Sequence, residues 1–187
     1  VQNDGVINPN FTNTLEYKEK VNAVYTQYGA KVNKFSVLLG LRWEDSNIDI
    51  NQLATNDFNN KKYNNFFPSA FFTYEISDKS SASISYSRRI QRPRGRMINP
   101  FSNLSSNINI FMGNPDLDPA FTDAVDLGYI KRWNKLTLNT SLYVNKTTGA
   151  FQFARRESGD FVNGTPIIIA SPINLATEYR TGFEFTL

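Results

Sequence analysis

The chain has 187 residues, is 40% hydrophobic with 15 Phe and 9 Tyr, carries a net charge of +3, and contains neither Cys nor His. Disulfides, Cys/His metal centres and nucleophilic catalysis of the Ser-His or Cys-His kind are thereby excluded. The charge is too mild to point to nucleic acid. No segment approaches the roughly 20 apolar residues of a membrane-spanning helix.

Apolar residues instead recur at every second position in seven segments, the period of an extended strand with two unlike faces. The first runs about 15–31, with Val21, Ala23 and Tyr25 opposite Lys20, Asn22 and Thr26. The second, about 35–50, alternates Phe35, Val37, Leu39, Leu41 and Trp43 with Ser36, Gly40, Arg42 and Glu44. The third, about 65–76, sets Ala70, Phe72, Tyr74 and Ile76 against Ser69, Thr73 and Glu75. In the fourth, about 80–91, Ala82, Ile84 and Tyr86 oppose four serines and Arg89. Segments at about 121–131 and 136–148 set Val125, Leu127, Leu138 and Leu142 against Asp126, Gly128, Asn139 and Ser141. A seventh begins near Asn174, with Tyr179, Phe183 and Phe185 opposite Glu178, Arg180 and Glu184.

Tight polar turns at Val32-Asn33-Lys34, Ser77-Asp78-Lys79 and Trp133-Asn134-Lys135 alternate with long Asn-, Ser-, Gly- and Pro-rich stretches at about 46–64, 92–120 and 149–173. Short turns at one end and long loops at the other predict an all-β, antiparallel up-and-down transmembrane β-barrel. Ionised groups at Arg42, Glu44, Glu75, Arg89, Asp126, Glu178, Arg180 and Glu184 are expected to face a hydrated lumen. On the inner face of a soluble sandwich each would cost several kcal/mol unless paired. The chain opens on the polar Val1–Gly5, with no signal-like segment, and closes within the seventh strand. Seven strands with open edges cannot stand alone in hydrocarbon, so a piece of a larger wall is expected.

The middle of the chain carries Tyr86-Ser87-Arg88-Arg89-Ile90-Gln91-Arg92-Pro93, then Ile98-Asn99-Pro100-Phe101, Gly113-Asn114-Pro115-Asp116-Leu117-Asp118-Pro119 and Asp126-Leu127-Gly128-Tyr129. These pieces, in this order, resemble the barrel of TonB-dependent outer-membrane receptors, particularly the Bacteroidetes-type barrels. Weaker echoes at Gly40–Glu44, Phe67-Pro68-Ser69, Asn174 and Gly182-Phe183-Glu184 extend the likeness over most of residues 15–187. The resemblance implies a 22-stranded barrel of which residues 1–187 supply about a third, with a plug domain not found in this chain. It also implies periplasmic tight turns, extracellular long loops, and a place in the outer membrane of a Gram-negative cell. Its implied function is receptor-mediated uptake of a scarce ligand (siderophore, oligosaccharide or peptide), without enzymatic activity, cofactor or metal. The partners implied are outer-membrane lipid and lipopolysaccharide, the remaining barrel and plug, a TonB-type energy transducer gripping the plug, and a surface lipoprotein. The rival readings are a non-transporting barrel adhesin or anchor and a soluble carbohydrate-binding β-sandwich. The first needs an even, closed set of strands, and the second turns every 8–12 residues.

The candidate ligand contacts are Arg89, Arg92, Arg94 and Arg96, since guanidinium forks match anionic oxygens. The alternative, which the usual solvation of loop charges favours, is that with Arg88 they are loop charges paired to Asp116, Asp118 and Asp123. Gly113-Asn114-Pro115 could touch a ligand, or be a turn in which Gly supplies a positive φ. The three aspartates match no calcium loop. Glu44 with Glu75, or Glu178 with Glu184, could form a glycosidase pair or cross-strand ladders. Tyr63, Phe66, Phe67 and Phe111 could stack on sugars or form an interfacial girdle.

Overall fold

Seven strands hydrogen-bond in one antiparallel sheet, and they coincide with the seven segments of alternating hydropathy. The computed structural model describes residues 14–53, 56–101 and 106–187. In chain order the elements are β1 (Leu15–Val32), β2 (Phe35–Gln52), β3 (Asp57–Ser77), β4 (Ser80–Gln91), α1 (Gly95–Ile98) and β5 (Asn109–Phe111). They continue as β6 (Ala120–Arg132), β7 (Thr137–Thr148), β8 (Phe151–Val162), β9 (Thr165–Asn174) and β10 (Thr177–Thr186). The large sheet runs β1-β2-β3-β4-β6-β7-β10, and a small one runs β5-β9-β8.

The three tight turns lie together at one end. Val32 pairs with Phe35 across a two-residue turn in which Asn33 takes φ 53°, the left-handed conformation that Asn tolerates and such hairpins require. Neighbouring turns are stitched together: the Glu75 N–H donates to Lys34 O at 2.8 Å, and the Arg132 N–H to Lys79 O at 2.7 Å.

Register then fixes the faces. The pairing Leu39↔Ala70↔Tyr86↔Val125↔Val144↔Thr181 runs across one face from β2 to β10. Val37, Leu39, Leu41, Ile84, Leu127, Leu138 and Phe183 all share that face. Arg42, Glu44, Glu75, Arg89, Asp126, Glu178, Arg180 and Glu184 all lie on the opposite one, because side chains alternate strictly. On β2 the apolar band runs from Phe35 to Trp43, about 26 Å at 3.3 Å per residue, which matches the ~25 Å band of an outer-membrane barrel. Phe35 and Tyr74 meet at its lower edge, with ring centroids 4.6 Å apart. Beyond Trp43 the same face turns polar, and Asn60 Nδ2 donates to Asn47 Oδ1 and Asp49 Oδ1.

Three expectations are corrected. The stretch 46–64 is mostly strand: β2 continues to Gln52 and β3 begins at Asp57. Its asparagines imitate turn chemistry, but Ile48 and Ile50 keep the period of two and are buried, at 4% and 3% exposure. The regions 92–120 and 149–173 likewise hold the short α1 and the small sheet. The apolar stripe of the first segment does not join the apolar wall. Ala23 pairs with Glu44 and Tyr25 with Arg42, so Val21, Ala23 and Tyr25 stand on the polar face, and Val24, Thr26 and Tyr28 on the other. The hairpin turn at Asn33 sets this register, and hydropathy alone does not.

A small core sits above the apolar band, on the polar face. Ile48 and Ile50 from β2 pack against Ile98 of α1 and Leu117, with Tyr17, Tyr63 and Phe151 around them. Covering even a few such side chains is worth about 1.5–3 kcal/mol each. The segment after β4 is thus folded back over the polar face.

Candidate functional site

Arg92 leaves the end of β4 just ahead of Pro93 and turns into the projecting parts of β1 and β2. Its Nη2 donates to Glu44 Oε2 at 2.6 Å and to Ser46 Oγ at 2.8 Å. Its Nε lies 3.0 Å from Glu19 Oε1, near enough for ion pairing although the N–H is not aimed at that oxygen. Glu44 and Ser46 are buried, so Arg92 neutralises a carboxylate that has little water of its own. Arg42 pairs with the other Glu44 oxygen. Lys61 of β3 adds a second tie, its Nζ donating to Leu117 O at 2.8 Å and lying 3.3 Å from Asp118 Oδ1.

Two tyrosines beside this cluster hold their protons tightly. Burial, reinforced by a hydrogen bond to Glu19, pushes Tyr17 up to about 12. Burial and the nearby Asp118 push Tyr63 up to about 12. Both stand above Trp43 in the projecting wall. The unfolded chain releases such protons near 10. The stability they contribute is therefore whole below pH 10 and is lost as pH rises toward 12. Ultraviolet titration of the intact protein should show late-ionising tyrosines, one removed by Tyr17→Phe and one by Tyr63→Phe. Unaltered titration curves in both variants would contradict this.

The two long connections are tied to each other. Asn174 accepts from the Asp118 N–H at 2.8 Å and donates to Asp118 O and Gly149 O at 2.9 and 2.8 Å. The Met112 N–H donates to Ala170 O at 3.0 Å, and Asn114 Nδ2 to Pro172 O at 3.2 Å. Gly113 is required here for a different reason than a turn's positive φ, which it does not have. A Cβ on it would collide with the backbone of Asn99, whose carbonyl accepts from the Gly113 N–H at 2.9 Å.

The candidate arginines are distributed rather than gathered. Arg92 belongs to the cluster with Glu19 and Glu44, not to Asp116 or Asp118. Arg96 lies 5.1 Å over the ring of Phe111, which meets the Phe153 ring at a tilt, centroids 5.9 Å apart. Arg94 is exposed. Arg88 lies on the apolar side at its upper edge, 3.8 Å from Asp123 and 5.3 Å over Phe121. Arg89 is exposed on the polar face, directly opposite Thr122.

Thr122 lines a recess of about 220 Å³ on that face, together with Gln91, Asn145, Thr147, Glu178, Arg180, Ala150 and Phe151. Four strands build it: the register Thr122↔Thr147↔Glu178 crosses β6, β7 and β10, and Arg89 of β4 stands beside it. The two threonine hydroxyls share a hydrogen bond of 2.9 Å, and Arg180 Nη2 donates to Glu178 Oε1 at 2.9 Å. Sequence periodicity identified Glu178 and Arg180 as facing this side. Gln91, Thr122, Asn145 and Thr147 carried no signal beyond their place in the alternation.

Neither carboxylate pair has glycosidase geometry. Glu178 and Glu184 are six residues apart on one strand, about 20 Å, and Glu44 pairs with Asn65, ten residues or about 33 Å from Glu75 along β3. The 5–9.5 Å of such enzymes is far exceeded. The four aromatics do not form one stack: Phe66 faces the apolar side, Phe67 and Tyr63 the polar side, and Phe111 lies in the small sheet. Among the described residues no group of acidic side chains could hold a metal ion.

The sequence matches the outer membrane protein beta-barrel family over residues 1–187. No curated protein matches it. Among solved structures, the hemophore receptor HasR of Serratia marcescens, in complex with its hemophore HasA and heme, superposes with a TM-score of 0.71 at 12% identity. That alignment takes in 89% of this chain and 31% of HasR. The siderophore receptor PirA of Pseudomonas aeruginosa gives 0.60 at 12% identity, covering 92% and 40%. The FrpB iron transporter of Neisseria meningitidis gives 0.61 at 15%, covering 92% and 24%. The chain thus spans 40% or less of the proteins whose fold it shares.

Proposed function

Because this chain belongs to the outer membrane protein beta-barrel family and so resides in the outer membrane, we propose that it is part of the wall of a TonB-dependent receptor. The receptor takes up a scarce ligand. The observation that carries this reading is the polar, charge-bearing face that runs the height of the sheet behind a lipid-matched apolar band. Such a face suits a hydrated lumen and is wasted in an inert anchor. Shared fold with a siderophore receptor, a hemophore receptor and an iron transporter supports it.

In this reading residues 1–187 make about a third of a 22-stranded barrel. The tight turns at Asn33, Asp78 and Asn134 point to the periplasm, and the two long connections lie outside the cell. Arg42, Glu44, Glu75, Asp126, Glu178, Arg180 and Glu184 line the lumen. A plug supplied by the rest of the protein carries the segment gripped by the energy transducer. Lipopolysaccharide surrounds the band, and a surface lipoprotein is a further partner.

The test is uptake by cells carrying the intact receptor. Accumulation of the ligand should collapse when the proton-motive force is dissipated, and retained uptake would refute the reading. Arg89→Gln and Arg94→Gln with Arg96→Gln should lower uptake several-fold and more so at low ionic strength, where charge steering is strongest. The barrel's heat-modifiability should stay unchanged in each. A loss of heat-modifiability with uptake intact would assign these arginines to stability.

A further inference from the structure

We infer that the recess between β4, β6, β7 and β10 is a subsite for one ring of a neutral oligosaccharide. This rests on the receptor reading and names its substrate class.

The donor set decides the chemistry. Gln91 and Asn145 each offer a donor and an acceptor end, and Thr122 and Thr147 each have capacity left after their shared hydrogen bond. Arg180 contributes donors and Glu178 acceptors, and their ion pair cancels its own charge. An inorganic anion needs converging donors with a net positive charge, and a cation needs converging acceptors. Taken together the lining offers both donors and acceptors, with no net charge among these six side chains, and Arg89 stands outside it. The solute that uses such a lining is one whose own groups both donate and accept, as hydroxyls do. Phe151 supplies an apolar wall against which the C–H face of a sugar ring can lie.

Size and surroundings agree. At about 220 Å³ the recess is smaller than the roughly 300–1,000 Å³ that encloses a drug-sized ligand, and it suits a single ring. Along the same face below it stand Ser83, Ser85 and Ser87 of β4 opposite Gly128, Asp126 and Ala124 of β6, with Ser141 beyond. From Ser83 to Ser87 this is a run of small hydroxyls on β4, with Arg89 standing between it and the recess. A chain of sugars can continue along it, exchanging water for hydroxyl contacts at each step.

The intact receptor in detergent, titrated calorimetrically with maltoheptaose, cellohexaose, mannohexaose and xylohexaose, should bind at least one of them saturably. Asn145→Ala and Thr147→Val should each weaken that binding about five- to tenfold, the worth of one or two hydrogen bonds, with heat-modifiability unchanged. No saturable binding of any of the four would overturn the inference, and so would binding unaffected by both variants. Inorganic phosphate binding that is lost in Thr147→Val would make the recess an anion site instead and overturn it as well. Energy-dependent uptake of a ferric chelate without glycan binding would refute the sugar subsite alone. Uptake insensitive to the proton-motive force would refute the receptor reading separately.

Discussion

Replacing Leu39 with arginine should destabilise the intact barrel by about 2–4 kcal/mol, the cost of a cation at the middle of the lipid face. Leu39 stands four residues from Phe35 and four from Trp43, the two aromatics that bound the apolar band on β2. Its cross-strand neighbours are Tyr28 and Ala70, and neither offers a carboxylate. The assignment depends wholly on register, because a shift of one residue would exchange the faces. Ser85→Arg provides the control. Ser85 lies on the polar face opposite Asp126, where a cation gains a partner, so little or no loss is expected. Denaturant unfolding in lipid vesicles measures both. Equal effects of the two variants, or none from Leu39→Arg, would show that the faces are assigned wrongly.

The second large effect is expected at Arg92. Arg92→Met keeps the apolar stem of the side chain but leaves Glu44 with Arg42 and Glu19 with Tyr17. Removing one partner from a buried charged set costs about 3 kcal/mol. The loss should fall on the connection after β4 rather than on the sheet, whose hydrogen-bond ladders Arg92 does not join. Limited proteolysis should therefore cleave within residues 92–119 in the variant while the barrel stays heat-modifiable. The double variant Arg92→Met with Glu44→Leu should recover part of the loss, because it removes the stranded carboxylate as well. Protection from protease equal to that of the native chain would show that the ion pairs are not what holds the segment down.

The sheet was legible in the sequence because its rule is local. Alternation at Phe35–Trp43 or Ala82–Tyr86 needs no knowledge of neighbours, and the three tight turns mark one end of it. What escaped did so for specific physical reasons. Asn47, Asn51, Asn60 and Asn64 act as the outward polar half of β2 and β3, yet asparagine is equally favoured in turns. Ile167-Ile168-Ile169, between Pro166 and Pro172, has no alternation to read, and so β9 of the small sheet went unseen. The faces of β1 depend on which residues the turn at Asn33 brings opposite one another. The binding features were less legible still. Arg92 was visible as part of an arginine run, but Glu44 is 48 residues away from it in sequence. The recess collects ordinary Gln, Thr and Asn side chains from strands that meet only through the register. No spacing in the chain announces it.

The unequal height of the wall bears on how the protein is assembled. β1, β2 and β3, with 18, 18 and 21 residues, stand well above β4, β6 and β7, with 12, 13 and 12. Both long connections rise from the low side and lean on the tall side through Arg92, Lys61 and the Ile48–Ile50 surface. The β1–β2 hairpin closes over a two-residue turn, and β3 pairs with β2 from the fifth residue after its end, so the tall side needs little loop entropy. The docking of residues 92–119 joins positions about fifty residues apart and can begin only once β1–β3 present a finished surface. Insertion of such a wall should therefore pass through a stage in which the strands are in place and the mouth is still uncovered. In that stage the segment from Arg92 to Pro119 is the last part to become resistant to protease.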